Sequence, residues 1–300
     1  MEEPTRSKKP KLIALLLLAV FIGAYIFVLC AYQNEGEARK AELAYEAEKL
    51  EKLDKNRIAA DAKIVTADPI KGDIAVRLTF TPEGTLATPD GKLARDLVLD
   101  VAAATGKHVH EFKKGRKMDP VETIVDIYEG EPMDFPFDQH EGQLAFFFAN
   151  AAAAGAEPAE QIPVALELRG SVSGLRVDAE YGQENTDTNV VVDISISRAR
   201  TTMFFSLFIM VAMWALAIGV LCLVYRVFAG QRKIEISMFS FLGALLFAFP
   251  ALRNSQPGTP PIGTLSDFLA FFWAEVIIAL SLLSVVLRWI IRGPGGDAPK

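Results

Sequence analysis

The stretch that decides the fold reads Val190-Val191-Val192-Asp193-Ile194-Ser195-Ile196-Ser197-Arg198-Ala199-Arg200-Thr201-Thr202-Met203-Phe204-Phe205. Its first half alternates apolar and polar residues, the period-two pattern of a half-buried strand. Its second half opens an uncharged run, 203–224, that contains Trp214. A bilayer core of ~30 Å takes about 20 apolar residues as a helix, so this run is long enough to span one. Strand passes into helix through Ser197-Arg198-Ala199-Arg200 with no flexible linker, so movement of one is felt by the other.

Working outward, three more apolar runs stand out: 12–32, 236–252 and 268–291. The chain therefore divides into a short basic start (1–11), a first membrane helix (12–32), a charged segment (33–57) and a β domain (58–200). Then follow helix two (203–228), helix three (236–252), a Pro-rich link (253–267), helix four (268–291) and a tail (292–300). The first run is expected to be an uncleaved anchor, because it is longer than a signal h-region and no clean small-residue cleavage site follows. Of 300 residues 51% are apolar and 23% charged, a mixture that excludes a disordered chain. The net charge of −6 argues against a nucleic-acid partner, which requires a cationic face.

Charge sets the orientation. Residues 1–11 hold Arg6, Lys8, Lys9 and Lys11, the stretch between the apolar runs 203–224 and 236–252 holds Arg226, Arg232 and Lys233, and the end holds Arg288, Arg292 and Lys300. The positive-inside rule predicts a multi-pass plasma-membrane protein with both termini cytoplasmic and residues 33–202 outside. That outer part has 20 basic against 31 acidic residues, a net −11. Cys30 and Cys222 fall at opposite membrane faces, too far apart to bridge.

Residues 33–57, rich in Ala, Glu, Lys and Leu with i,i+4 pairs such as Glu48–Lys52, predict a stalk helix. Beyond it, short alternating runs begin near Ile64, Ile74, Leu97, Val121, Leu144, Val164, Leu175 and Val190, divided by turn signals such as Pro89-Asp90-Gly91. Their spacing predicts an extracytoplasmic antiparallel, Ig-like β-sandwich, with an Ala-rich loop or short helix at 149–158. The fold class expected is thus membrane α plus all-β, with four transmembrane helices, one N-terminal and three C-terminal.

Candidate functional residues are few. Asp134-Phe135-Pro136-Phe137-Asp138-Gln139-His140 sets two aromatics about a proline between acids. Pro136 holds Phe135 extended, so the rings either project from a stiff loop or plug one end of the core. The outer link carries Arg253, Pro257, Pro260 and Pro261, whose prolines forbid helix and stiffen the loop, and the β domain is expected to rest on it. Glu275 is an intramembrane carboxylate, costly at that depth, with Arg253 as a possible partner. His108 and His110 lie two apart on an expected strand and, with Glu111 or His140, form a weak metal-ligand set. Lys113-Lys114-Gly115-Arg116-Lys117 is a basic hairpin tip, suited to an anion or lipid headgroup or to blocking edge pairing. Ser240, Ala244, Ala248 and Ala251 make a small-residue stripe on helix three that predicts close helix packing. No nucleophile–base pair, phosphate loop or dinucleotide fingerprint is present, so neither an enzyme nor a cofactor is expected.

The segments Arg198 to Ser206, Phe135 to Asp138 and Leu252 to Gly263 resemble those of an uncharacterised, largely actinobacterial membrane-protein family, domain of unknown function 4436. That resemblance implies location and topology but no activity. Phe135-Pro136-Phe137-Asp138-Gln139 also resembles the loop at the base of the sandwich in pentameric ligand-gated ion channels. This second likeness implies a β domain pressing on the outer loop between helices. The chain departs from it by an extra first helix, a smaller β domain and no helix after 268–291. The expected function is a non-enzymatic binding or scaffold subunit of a cell-envelope assembly, in contact with lipid and with other membrane or envelope proteins or its own copies. The alternative is a channel-like, ligand-responsive receptor.

Overall fold

The computed structural model describes residues 54–151 and 160–292, the segment 41–44 and scattered positions between Leu15 and Gln33. Eleven strands precede three helices: β1 (Ala41–Ala44), β2 (Ile58–Asp68), β3 (Asp73–Pro82), β4 (Leu97–Val101), β5 (Val109–Phe112), β6 (Val121–Glu129), β7 (Gln139–Asn150), β8 (Gln161–Ile162), β9 (Val164–Gly170), β10 (Leu175–Tyr181) and β11 (Asn189–Arg198). The helices are α1 (Arg200–Phe228), α2 (Ile236–Asn254) and α3 (Phe272–Arg292), the last preceded by a π-helical turn, Asp267–Phe271. Each of the eight alternating runs read from the sequence lies in a strand.

The strands form one hydrogen-bonded sheet in the order β1-β9-β2-β3-β6-β7-β11-β10, with β4 and β8 also on β7 and β5 on β4. The sheet turns a corner at β6, whose first part pairs with β3 and whose last residues pair with β7 across a register shift. Alternation does the packing. In β3, Ile74, Val76, Leu78, Phe80 and Pro82 point inward while the residues between them are more exposed. Phe80 meets Phe148 of β7 edge-to-face at 4.9 Å, joining the two halves of the sheet in one core.

Two expectations about this domain need correction, and a third goes unconfirmed. The pairing is not wholly antiparallel, because β2 runs parallel to β9. Strands this far apart in sequence need no tight turn between them, so either direction is open. The continuous sheet, bent at a shared strand, does not establish an Ig-like sandwich. Within the expected stalk helix, Ala41–Ala44 is a strand, antiparallel to β9, and residues 54–57 are irregular; the rest of 33–57 lies outside the described residues. The unpaired edge of β9 offers backbone partners that a lone helix does not, and tertiary pairing overrides propensity.

Among the described residues, α1, α2 and the span from Asp267 to Arg292 are long and apolar enough to cross a membrane. The expected first helix, 12–32, falls largely outside the described residues, although the described positions between Leu15 and Gln33 are helical and Phe27 packs 5.7 Å from Phe204. Helix two starts at Arg200, with no break after β11 beyond Ala199. The helices share an apolar core of residues such as Met213, Leu242, Phe249, Ala274 and Ile278. The small-residue stripe does not line it: Ser240, Ala244 and Ala251 face outward, and the larger Met238, Leu242 and Phe249 fill the contact. The loop 152–159, within the Ala-rich segment, lies outside the described residues.

Candidate functional site at the junction of sheet and helices

The segment 130–138 closes the end of the sheet nearest the helices. Gly130 has φ +119°, and a Cβ there would collide with the Gln139 carbonyl and the His140 ring, so the turn requires glycine. Pro132 opens a short 3₁₀ turn, and the Phe135–Pro136 bond is cis. The two rings part company. Phe135 is fully buried, whereas Phe137 is 48% exposed. The Arg198 guanidinium lies 5.0 Å from the Phe135 ring centroid.

Asp138 and His140 are both 2% exposed. Arg198 grips the Asp138 carboxylate through Nε, 2.9 Å from each oxygen, and Nη2, 2.7 Å from Oδ2. His140 Nε2–H donates to the same Oδ2 at 2.8 Å, a role the ionised acceptor dictates. Burial pushes the Asp138 carboxyl upward, but the hydrogen bonds of His140 and Arg198 and the Arg198 charge together hold it below the usual aspartate value.

A second array caps the helices. Arg253, at the end of α2, is 3% exposed and forms a two-pronged pair with Asp267, Nε to Oδ1 at 2.8 Å and Nη2 to Oδ2 at 2.8 Å. Its remaining donors reach the carbonyls of Pro260, at 2.8 Å, and Pro261. The Pro-rich link is thus folded back over the guanidinium, with Pro257 half-buried at its turn. Gly263 N–H donates to Asp267 Oδ2 at 2.8 Å. Such an Arg side chain satisfies two carbonyls in the middle of the link and sits favourably at the negative end of α2.

The two arrays meet. Ser266 N–H donates to the Phe135 carbonyl at 3.2 Å, joining the loop of the sheet to the turn before α3. Beside this contact, the Gly174 carbonyl, in the turn between β9 and β10, accepts from Ala199 N–H at 3.1 Å and from Thr202 Oγ at 3.0 Å. The strand-to-helix passage is therefore bonded on both sides. Buried charges arranged in this way, every carboxylate oxygen engaged, restrict relative movement of the parts they join.

The other candidates lie elsewhere. Arg253 is occupied by Asp267, not Glu275, whose Oε2 is buried without a partner. His108 precedes β5 rather than lying in it; Nδ1 is 3.3 Å from the Val101 carbonyl, and His110 Nε2 is 2.9 Å from the Lys107 carbonyl. His140 is spent on Asp138, and no group of three His, Cys, Asp or Glu among the described residues could hold a metal. The Lys113–Lys117 tip sits at the far end of the sheet: Lys114 N–H bonds Asp96, next to Leu97, which pairs with Asn150 at the distal end of β7. The sequence reading missed Asp267, Ser266 and Gly174 and did not pair Arg198 or His140 with Asp138. An acid 14 positions from an arginine carries no local periodicity that would have announced it.

A β domain joined without a linker, through charge pairs, to three helices long and apolar enough to cross a membrane defines the class. Residues 49–196, nearly half of the chain and most of its β domain, match the family Domain of unknown function (DUF4436). Residues 198–292 match a second one, Domain of unknown function (DUF8686), so the boundary falls at the strand-to-helix passage. Of the segments that carried the resemblance, Phe135 to Asp138 lies in the first match and the other two in the second. No curated protein matches the chain.

Proposed function

We propose that this protein is a non-enzymatic binding or scaffold subunit of a cell-envelope assembly that holds its β domain rigidly on the outer face of the plasma membrane. The observation that carries the reading is the junction: the Asp138 and Asp267 carboxylates are buried, each with both oxygens bonded, to Arg198 and Arg253, and the two pairs are linked through Ser266 and Phe135. A platform that presents a surface to partners needs that rigidity. Orientation rests on charge. Arg226, Arg232, Lys233, Arg288 and Arg292 lie at the end of the helices away from the sheet, as the positive-inside rule requires of a cytoplasmic end. Arg288 Nη1 there bonds the Phe228 carbonyl at 3.3 Å and its guanidinium stacks on the Phe228 ring at 4.7 Å, closing the end of α1.

The test is extraction in native-like lipid followed by mass measurement of the intact particle. Stoichiometric partner chains or a defined homo-oligomer are expected; a monomer free of partners overturns the reading.

A second reading, a ligand-responsive channel-like receptor, is favoured by the same junction, because a contact between Phe135 and Ser266 would transmit movement of β11 and its loop to α3. It requires a ring of copies, since the helix core of one chain is filled by side chains such as Leu242 and Phe249. Ion flux in liposomes over a broad ligand screen separates the two readings.

A further inference from the structure

We infer that the base of the β domain is itself a lipid-binding surface: the loops that face the membrane dip apolar side chains into the interfacial layer of the bilayer. This rests on the membrane placement proposed above and adds a contact that the helices do not make. The first argument is the distribution of exposed apolar side chains. Among the described residues of the β domain, the large hydrophobic side chains left exposed are Val65, Ile70, Val109, Tyr128, Met133 and Phe137. All but Val109 belong to the end of the sheet from which α1 departs. That end is defined by register: Asp73 of β3 pairs with Asp126 of β6, Glu129 with Glu141 of β7, and Gln139 of β7 with Ser197 of β11. Ile70 (50% exposed), in the β2–β3 turn, and Met133 (49%) and Phe137 (48%), in the loop after β6, therefore point from the same base.

The second argument is height. α1 has 29 residues, so at 1.5 Å per residue it is ~43 Å long, the thickness of a bilayer with its headgroup layers. It follows β11 after Ala199 alone, so the base of the sheet cannot stand off from the membrane on a tether. The Ser266–Phe135 bond pins the loop of Met133 and Phe137 at the head of α3 as well. Ile262, 73% exposed, lies in the Pro-rich link at the same level. The patch continues the lipid-facing surface of the helices, which begins with Phe205 and Phe208 on α1 and Phe268 on the π turn.

The third argument is chemistry. Tyr128 and Phe137 are amphipathic or aromatic, the side-chain types that settle at headgroup depth. Lys71, exposed beside Ile70, is ion-paired with Asp68 at 3.3 Å, so the contact rests on the apolar side chains and not on an unpaired cation. Monomeric soluble surfaces do not gather exposed apolar groups on one end without an occupant, and here the occupant adjoining that end is the bilayer.

The test uses the full chain with Cys30 and Cys222 replaced by Ser and single cysteines at Ile70, Phe137 or Ile262, spin-labelled and reconstituted in phosphatidylcholine vesicles. Val211 on α1 and Lys114 at the distal tip serve as references. All five positions are exposed, so the fold is expected to tolerate the labels, and circular dichroism checks it. Labels at the three base sites are expected to collide with lipid-dissolved oxygen and to meet aqueous nickel complex several-fold less than the label at Lys114. If the base labels match Lys114 while Val211 reads as lipid, the membrane placement stands and this inference is overturned. If Val211 also reads as water, the membrane placement itself fails. Shielding of the base from both reagents marks a protein partner there and also overturns the inference.

Discussion

At the scale of single residues, the junction depends on groups that cannot be changed one at a time without cost. Asp138→Asn keeps the shape of the side chain but leaves the Arg198 charge buried beside a neutral amide. Breaking one partner of a buried pair costs about 3–5 kcal/mol, and a clear fall in melting temperature is expected in lipid nanodiscs. The same carboxylate gives a pH signature. Its folded-state pKa is lower than its ordinary value of 3.8, so its contribution is complete above that value and is lost as pH falls through the depressed one. The wild type should lose stability relative to Asp138→Asn only below about pH 4, which thermal melts across pH resolve. Gly130→Ala imposes a Cβ on a turn with φ +119° that has no room for one. A loss of about 1–3 kcal/mol is expected, measured by the same melts.

At the scale of elements, α2 and the Pro-rich link are held together by one guanidinium. Arg253→Lys retains the charge, yet a lysine cannot span Asp267, Pro260 and Pro261 at once, because its ammonium is a point and not a planar fork. Two or more hydrogen bonds are lost at about 1 kcal/mol each, and faster amide exchange at Gly263 and Ser266, read by mass spectrometry, is expected. The π turn before α3 is tied in a similar way, by the Trp214 indole N–H donating to the Leu269 carbonyl at 2.9 Å. A π turn displaces carbonyls from the regular ladder, and an indole at the face of α1 takes one up.

At the scale of the molecule, the chain is two packed bodies with one polar seam. If the seam transmits movement, Asp138→Asn raises amide exchange in both 130–138 and 256–266 and leaves the Lys113–Lys117 tip unchanged, since that tip lies at the other end of β7. Its 12 residues span ~40 Å at about 3.3 Å each. Equal protection of the two base loops in wild type and variant counts against transmission. The acidic surface of the β domain and the basic far ends of the helices define the remaining prediction. A maleimide that does not cross membranes is expected to label a cysteine at Lys114 but not one at Lys233 in intact cells.

Much of this was legible in residue order because it rests on local periodicity. Alternation at Ile74–Phe80 or Val190–Ile196 favours strand, and uninterrupted apolar runs favour membrane-length helices, since both follow from the hydrophobic effect acting on neighbours in sequence. The sheet order, the parallel β2–β9 pair, the strand at Ala41–Ala44 and the partners of Asp138 and Arg253 were decided by tertiary structure alone. Each joins residues distant in the chain, and a buried charge chooses its partner by which opposite charge the fold carries within hydrogen-bonding reach, a quantity that no window of sequence contains.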